Sequence, residues 1–416
     1  MDRMISFFGV FIFLALAFAL SNNRKKVNWR LVVLGTMLTW VFALLALGIP
    51  AVGIGGPLRF IFDAANDGVL KVLDFTMEGS RFIFGDLLDL NKFGFIFAFQ
   101  VLPTIIFMAA LMAVLYQIGV MQPVVQWLAV VMQKLMGTSG AESLSNAANI
   151  FVGQTEAPLV VKPFVKSMTE SELFAVMVGG MASVAGGVLA AYTGMLRQYI
   201  PDIAGHLVTA SFMSAPASFV IAKLLIPETG HPATLGKIPK EANQKAYTNV
   251  LEAAAGGAGE GLSLALNVAA MLLAFIALIA LINGVLGYLG GWFGWPALSL
   301  ELMLGWVFAP FAWIMGIPWD ECLKSGALLG QKTILNEFVA YMNLAKEGSS
   351  FSPRAAIILS YALCGFANFS SIAIQIGGIG GIAPERKSDL ARLGVKSVIG
   401  GTLATFMMAA IAGVLV

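Results

Sequence analysis

Long apolar runs place the strongest limit on this fold: residues 4–21, 31–61, 93–133, 173–196, 262–300, 355–383 and 397–416. Several exceed the ~20 residues that a helix needs to cross the hydrocarbon core of a bilayer. Charged residues make up 12% of the chain and hydrophobic ones 58%, a balance far from the roughly 25% charge of soluble domains. A transmembrane barrel would instead give alternating segments of about ten residues. The chain therefore reads as an all-α polytopic membrane protein. Its net charge of +2 is thinly spread and forms no basic stripe for nucleic acid. Cys322 and Cys364 sit in apolar sequence far from any metal-type spacing, and read as small buried hydrophobes. The first run, ISFFGVFIFLALAFAL, is followed by Asn22, Asn23, Arg24, Lys25 and Lys26 rather than by a cleavage site. It is expected to stay as a transmembrane helix.

Basic residues in short loops mark the cytoplasmic side. The loop 22–30 carries Arg24, Lys25, Lys26 and Arg30, and the stretch 384–396 carries Arg386, Lys387, Arg392 and Lys396. Both are placed inside, as is the long polar loop 227–249, which puts both termini outside and requires an even number of crossings. Residues 56–90 mix charges into apolar positions at helical spacing, as expected for a helix lying on the outer surface. Eight crossings close the parity: 4–21, 31–49, 93–118, 172–196, 206–226, 262–289, 355–383 and 395–416.

The run NIFVGQTEAPLVVKPF (149–164) does not fit a crossing, because Gly153, Gln154, Thr155 and Glu156 interrupt it before Pro158. Its arms, 142–152 and 157–166, are each about half of a spanning length. A re-entrant hairpin with its tip lining a cavity fits, since irregular backbone at membrane depth survives only against protein or trapped water. A kinked helix with one buried glutamate is the plainer alternative. An internal repeat favours the hairpin. An amphipathic stretch (121–137), the hairpin, a broken apolar helix (179–192) and a span (206–226) recur as 300–316, GQKTILNEFVAYMNL (330–344), ALCGFANFSSIAIQIGG (362–378) and 395–416. An odd number of crossings separates the halves, so the repeats are inverted, an architecture in which transporters place substrate and ion near the midplane.

Glu156 and Glu337, one at each hairpin tip, are the leading functional candidates, because a charge at the bilayer centre costs at least ~2.5 kcal/mol. Around them stand Asn149, Gln154, Thr155, Asn336, Asn368, Ser370 and Ser371, and no arginine lies within the tips. A phosphate or carboxylate substrate would call for a guanidinium. The expected substrate is thus neutral and rich in hydroxyls or amides: a carboxylate accepts from adjacent sugar hydroxyls, and a glutamine pairs with a nucleobase edge. Phe366 would supply an apolar face for a ring. Asn149 and the Val152 carbonyl, with Ser183 and the Val184 carbonyl at the first break, could hold a monovalent cation, as broken helices expose carbonyls for that purpose. Alternatively, Ser183 merely bonds a carbonyl of its own helix. An enzyme using Glu156 and Glu337 as an acid/base pair is a rival reading, but His206 and His231 stand apart and no HExxH motif occurs. A channel is another, though it would not need two occluding hairpins.

GQTEAPLVVKPF (153–164), NEFVAY (336–341) and CGFANFSSIAIQIGGIG (364–380) resemble, in order and spacing, the signature segments of the concentrative nucleoside transporter family. The resemblance covers essentially the whole chain, starting directly with the eight-helix unit as in bacterial members. It implies eight transmembrane helices plus two re-entrant hairpins, a homotrimer in a bacterial cytoplasmic membrane, and uptake of a nucleoside such as uridine with sodium as coupling ion. An elevator-type movement is implied too. Some members use protons instead, which leaves proton coupling as an alternative. The implied division is a scaffold of residues 1–120 with the interfacial helix, a first transport repeat 121–226 with hairpin 1 at about 140–168, a segment 227–298 with the polar loop and scaffold helix 262–289, and a second repeat 299–416 with hairpin 2 at about 321–346. Carried over residue by residue, Gln154, Thr155 and Glu156 would contact the base with Val188 nearby. Glu337, Asn368 and Ser371 would hold the ribose, and Phe366 would pack on the nucleoside. Asn149, Val152, Ser183 and Val184 would hold sodium.

Overall fold

A computed structural model describes residues 1–48, 55–57, 59–94, 96–200, 202–239 and 247–416. Part of the apolar run 31–61 (49–54 and 58) and Lys240 and Lys245 of the polar loop lie outside the described residues.

Helices α1 (Asp2–Ala19) and α2 (Trp29–Leu47) form the first two crossings, and α2 starts where the Asn28 side chain accepts from the Leu31 amide. The expected amphipathic helix is α3 (Arg59–Phe84). Single turns α4 (Leu90–Phe93) and α5 (Phe97–Gln100) lead into α6 (Leu102–Gln117), followed by α7 (Met121–Met136). Hairpin 1 comprises α8 (Gly140–Ala148), an irregular tip, a 3-10 turn at Ala157–Val161 and α9 (Lys162–Val165). One broken span follows, α10 (Glu170–Ala182) and α11 (Gly186–Leu196), then α12 (Ile203–Leu225) and the 43-residue α13 (Val250–Trp292). After α14 (Leu300–Ile314), hairpin 2 is built from α15 (Trp319–Ile334) and α16 (Glu337–Lys346). A second broken span, α17 (Pro353–Leu363) and α18 (Phe369–Ile382), and α19 (Lys387–Leu415) complete the chain.

Among the described residues, seven spans are long and apolar enough to cross on their own, and the expected crossing 355–383 is occupied by two shorter apolar helices, α17 and α18. Helices α14 and α15 meet at 119° and fold back rather than cross. Both chain ends share one face, where the Arg3 and Arg354 guanidinium groups donate to the Val416 carbonyl. On the opposite face the Asn22 amide donates to the Leu225 carbonyl at 2.9 Å, which joins the basic loop to the start of the long polar one.

The two hairpins are rooted at opposite faces. At the loop face, the Gly140 and Ala141 amides donate to the Thr234 carbonyl and hydroxyl, each at 3.0 Å. At the chain-end face, Ser6 donates to the Met315 carbonyl and Arg354 to that of Gly316, just ahead of α15. Opposed roots and converging tips are the inverted repeat in three dimensions. The root of hairpin 1 is further tied by a buried ion pair, Lys223 Nζ to Glu142 at 2.7 Å, with Ser171 bonded to the same ammonium.

Packing separates one helix pair from the rest. Helix α1 runs along α19 and α2 along α12, whereas α6 pairs with α13. Residues 1–120 are therefore divided in their contacts: α1 and α2 lie against the helices that carry the repeats. Lipid tails are as apolar as leucine, so helix pairs in membranes rely on close van der Waals approach at small residues. The α6–α13 seam does so, since a Cβ on Gly261 would lie 2.7 Å from Ile106 Cα and 2.8 Å from Ala109 Cβ. Helix α13 begins 12 residues before the expected 262, because the Asn249 cap and the polar turns around Glu252 and Glu260 add helix that apolar pattern alone does not register. Gly261→Leu is expected to destabilise the protein by ~2 kcal/mol through overpacking, while Gly259→Leu, which points into open space, leaves thermal unfolding in detergent unchanged. Equal melting curves for both variants would contradict this account of the seam.

Candidate functional site

Each hairpin tip begins with a deliberate helix end. A capping box between Ser139 and Glu142 starts α8, and the helix stops at Asn149. The backbone then continues irregularly, with the Ala157 amide returning to the Gly153 carbonyl at 3.1 Å. In hairpin 2, the Asn336 side chain accepts from the Val339 amide at 2.9 Å and so starts α16 with Glu337 as its first residue. The broken span reuses this device: Asn368 Oδ1 accepts from the Ser371 amide at 2.9 Å and from the Ser370 hydroxyl at 2.7 Å, which opens α18.

These ends bring the two repeats together. Gln154, buried, donates from Nε2 to Ser371 Oγ at 3.0 Å and accepts at Oε1 from Gln375 Nε2 at 3.0 Å. Gln375 also donates to the Met177 carbonyl of α10. Glu337, 5% exposed, accepts from the Tyr192 hydroxyl at 2.9 Å and from Asn368 Nδ2 at 3.0 Å. The network Gln375–Gln154–Ser371–Asn368–Glu337–Tyr192 thus spans both hairpins and both broken helices. Hydrogen bonds to a charged group are worth about 1.5–3 kcal/mol each, so two of them offset the ~2.5 kcal/mol or more of burying a carboxylate in the bilayer. The amino ends of α16 and α18 add positive partial charge to the same place.

Of the other expected residues, Val188 is buried on α11 and Thr155 packs against Gly378 of α18. Phe366 is partly buried, and its amide donates to the Ser183 carbonyl at 3.3 Å, joining the two breaks. Glu156 stands apart from the network: it is exposed, with its carboxylate folded over Gly153, where any Cβ would collide with it. It faces a cavity of about 620 Å³ between hairpin 1 and the α6–α13 pair, which extends to Pro239 and Tyr247 at the loop face.

The two segments that carry the expected cation ligands also meet. The Gly186 amide donates to the Phe151 carbonyl, so the first tip and the first break lie side by side. Ser183 donates to the Gly179 carbonyl of its own helix at 2.9 Å, as the plainer reading held, which leaves its oxygen lone pairs available. Asn149 is 2% exposed, and neither polar atom of its side chain has a protein partner. Buried polar groups are rarely left so, and an unpartnered buried amide oxygen is chemically suited to a small hard cation.

Comparisons with known proteins agree with this arrangement. The chain matches the family models "Na+ dependent nucleoside transporter N-terminus" over residues 8–87, "Nucleoside recognition" over 98–199 and "Na+ dependent nucleoside transporter C-terminus" over 206–413. It is 42% identical to the nucleoside permease NupC of Helicobacter pylori, over 100% of this chain and 98% of that protein. The chain belongs to the concentrative nucleoside transporter family. It is also 49% identical to a Haemophilus influenzae protein described as an uncharacterized transporter, over 100% of this chain and 98% of that one. Among solved structures, CNTnw in an inward-facing substrate-bound state superposes with a TM-score of 0.92 at 45% identity, over 100% of this chain and 98% of that one. The related proteins are transporters, and the enzyme reading of Glu156 and Glu337 is set aside.

Three residues of the site were not singled out from sequence. Gln375 is the one polar side chain in IAIQIGGIG, and Lys332 is an intramembrane cation close to Glu337; the cost of burying either was the available signal. Tyr192 carried no signal beyond the need of a buried hydroxyl for a partner. Gln375→Leu removes the donor that orients the Gln154 amide, and ~10-fold weaker nucleoside binding by calorimetry is expected, in line with one lost hydrogen bond. Unchanged affinity would remove Gln375 from the site.

Proposed function

We propose that this protein takes up nucleosides such as uridine together with sodium across a bacterial cytoplasmic membrane. The observation that carries this reading is the polar network joining the hairpin tips through Gln154, Ser371, Asn368 and Glu337, with no arginine in it. Such a set suits a neutral ligand with vicinal hydroxyls and a hydrogen-bonding ring. In this reading Glu337, Asn368 and Ser371 hold the ribose, Gln154, Thr155 and Glu156 meet the base, and Val188 and Phe366 pack against the nucleoside. Sodium is held by Asn149, Ser183 and the carbonyls of Val152 and Val184. The unpartnered Asn149 side chain supports that assignment, as does the sodium dependence named in the matching family models.

Transport proceeds by an elevator movement of the part that carries both hairpins against the α6–α13 pair. The cavity between them at the first tip and the narrow seam of α6 on α13 support this division. The exposed apolar face of α13, including Leu266, Leu273 and Leu281, fits lipid and the neighbours of a homotrimer. Basic loops on the face opposite the chain ends support termini outside the cytoplasm.

In proteoliposomes with an inward sodium gradient, uridine is expected to accumulate above equilibrium. Equal uptake with choline in place of sodium and no proton gradient would refute coupling, and accumulation driven only by a pH gradient would transfer it to protons. Glu337→Gln is expected to weaken uridine binding by about 10- to 100-fold, through a lost charged acceptor, with uracil binding less affected. Normal uridine affinity in this variant would exclude Glu337 as the ribose acceptor.

A further inference from the structure

One corner of the loop face carries basic side chains that no carboxylate of the described residues neutralises. Arg24, Lys25, Lys26 and Arg30 are exposed, and Lys396 of α19 reaches the same loop, where its ammonium donates to Asn22 Oδ1. Among the described residues none of these cations has a carboxylate within 4.0 Å. Other cations of that face are treated differently. Arg386 pairs with Asp389 at 2.8 Å, Arg392 with Glu170 at 3.0 Å and Lys223 with Glu142 at 2.7 Å. A loop need only carry an excess of lysine and arginine to be held on the cytoplasmic side. Orientation therefore does not account for charge gathered unpaired at one corner.

The corner is fixed in shape. Arg24–Lys26 form a single 3-10 turn, the Asn22 amide is held by the Leu225 carbonyl, and Val27 is buried. Arg24 donates to the Ala19 carbonyl at the end of α1 and lies 6.0 Å from the centre of the Phe18 ring. That ring meets the exposed Trp29 with centroids 5.3 Å apart. Tryptophan at the end of a spanning helix sits at headgroup level. From there Trp29, Val33, Met37 and Val41 recur every four residues along α2, and all four are exposed. Such spacing makes them neighbours on one helix face. Arg30, the second residue of α2, stands where helix polarity disfavours a cation and attracts an anion.

We infer that the corner between α1 and α2 binds the headgroup of an anionic phospholipid, with its acyl chains laid along the stripe from Trp29 to Val41. A guanidinium pairs well with a phosphate and the ammonium groups add point charge, while the stripe offers hydrocarbon the length of a chain. The lipid supplies the negative charge that the protein does not, and it holds this corner at the headgroup plane beside α12 and α19. The inference stands apart from the nucleoside and sodium assignments.

The test uses the full chain in detergent, titrated with phosphatidylglycerol, phosphatidylcholine or inorganic phosphate while thermal unfolding is followed. Phosphatidylglycerol is expected to raise the midpoint in a saturable way, and the other two to leave it unchanged. In the combined variant Arg24→Gln, Lys25→Gln, Lys26→Gln, the apparent affinity for phosphatidylglycerol is expected to fall about 100-fold, the sum of three basic contacts with an anionic lipid. Removing as much charge elsewhere, by Lys71→Gln, Arg81→Gln and Lys92→Gln, is expected to keep the wild-type affinity. Equal shifts with phosphatidylglycerol and phosphatidylcholine overturn the inference, as does a shift that phosphate alone reproduces. An undiminished response in the first variant, or an equal loss in the second, overturns it too. Should the first variant fail to fold, Lys25→Glu, a change at an exposed side chain, is read the same way, with about 10-fold weaker binding expected.

Discussion

Backbone polar groups stranded by two broken spans and two hairpin tips are the constraint on which this structure depends. In a bilayer, an unpaired amide or carbonyl costs several kcal/mol, so each interruption needs a partner that folding supplies. The partners are found in the other interruptions. The amide of Phe366 at the second break donates to the Ser183 carbonyl at the first, and the Gly186 amide donates to Phe151 in the first tip. Asn336 and Asn368 cap the helices that restart beyond the second tip and the second break. The two breaks and the first tip thus support one another through the backbone, and the second tip joins them through the Asn368 side chain, which donates to Glu337.

The molecule treats charge differently at the roots and at the tips. At the root of hairpin 1, Lys223 and Glu142 form a buried ion pair fixed by Ser171, and neither partner has an exposed edge. Removing one partner of such a pair leaves an uncompensated charge, a loss of about 3–5 kcal/mol, which suits a rigid anchor. At the tips, Glu337 is held by neutral donors, the Tyr192 hydroxyl and the Asn368 amide. Neutral donors can be exchanged for substrate hydroxyls at little net cost in hydrogen bonding. Stacking of Tyr192 on Tyr341, with ring centroids 4.2 Å apart, holds the donor in place. Anchored roots and exchangeable tips are the division that a transporter with re-entrant hairpins requires.

Much of this was legible from one chain of letters. Apolar run lengths located the eight crossings because the bilayer imposes a minimum length, and the misfit of GQTEAP to that length exposed the first hairpin. The pairing of Glu156 with Glu337 through the repeat identified both tips. Other features had no such signature. Helix α13 starts at Val250 because a polar turn can be helical outside the lipid, where apolar pattern is silent. The two glutamates, equivalent by repeat, differ in place: Glu337 is enclosed by donors, whereas Glu156 faces the cavity.

The sequence alone determined class, crossing number, the inversion of the repeat and the residue types at the tips, because each follows from local rules of length, charge and backbone satisfaction. Tertiary structure decided which of those residues touch. Tyr192 reaches Glu337 from 145 positions away and Gln375 reaches Gln154 from 221. Lys332 is directed to a helix end by the fold-back of its hairpin. Contacts between repeats depend on how the broken helices cross in space, and no periodicity along the chain carries that information.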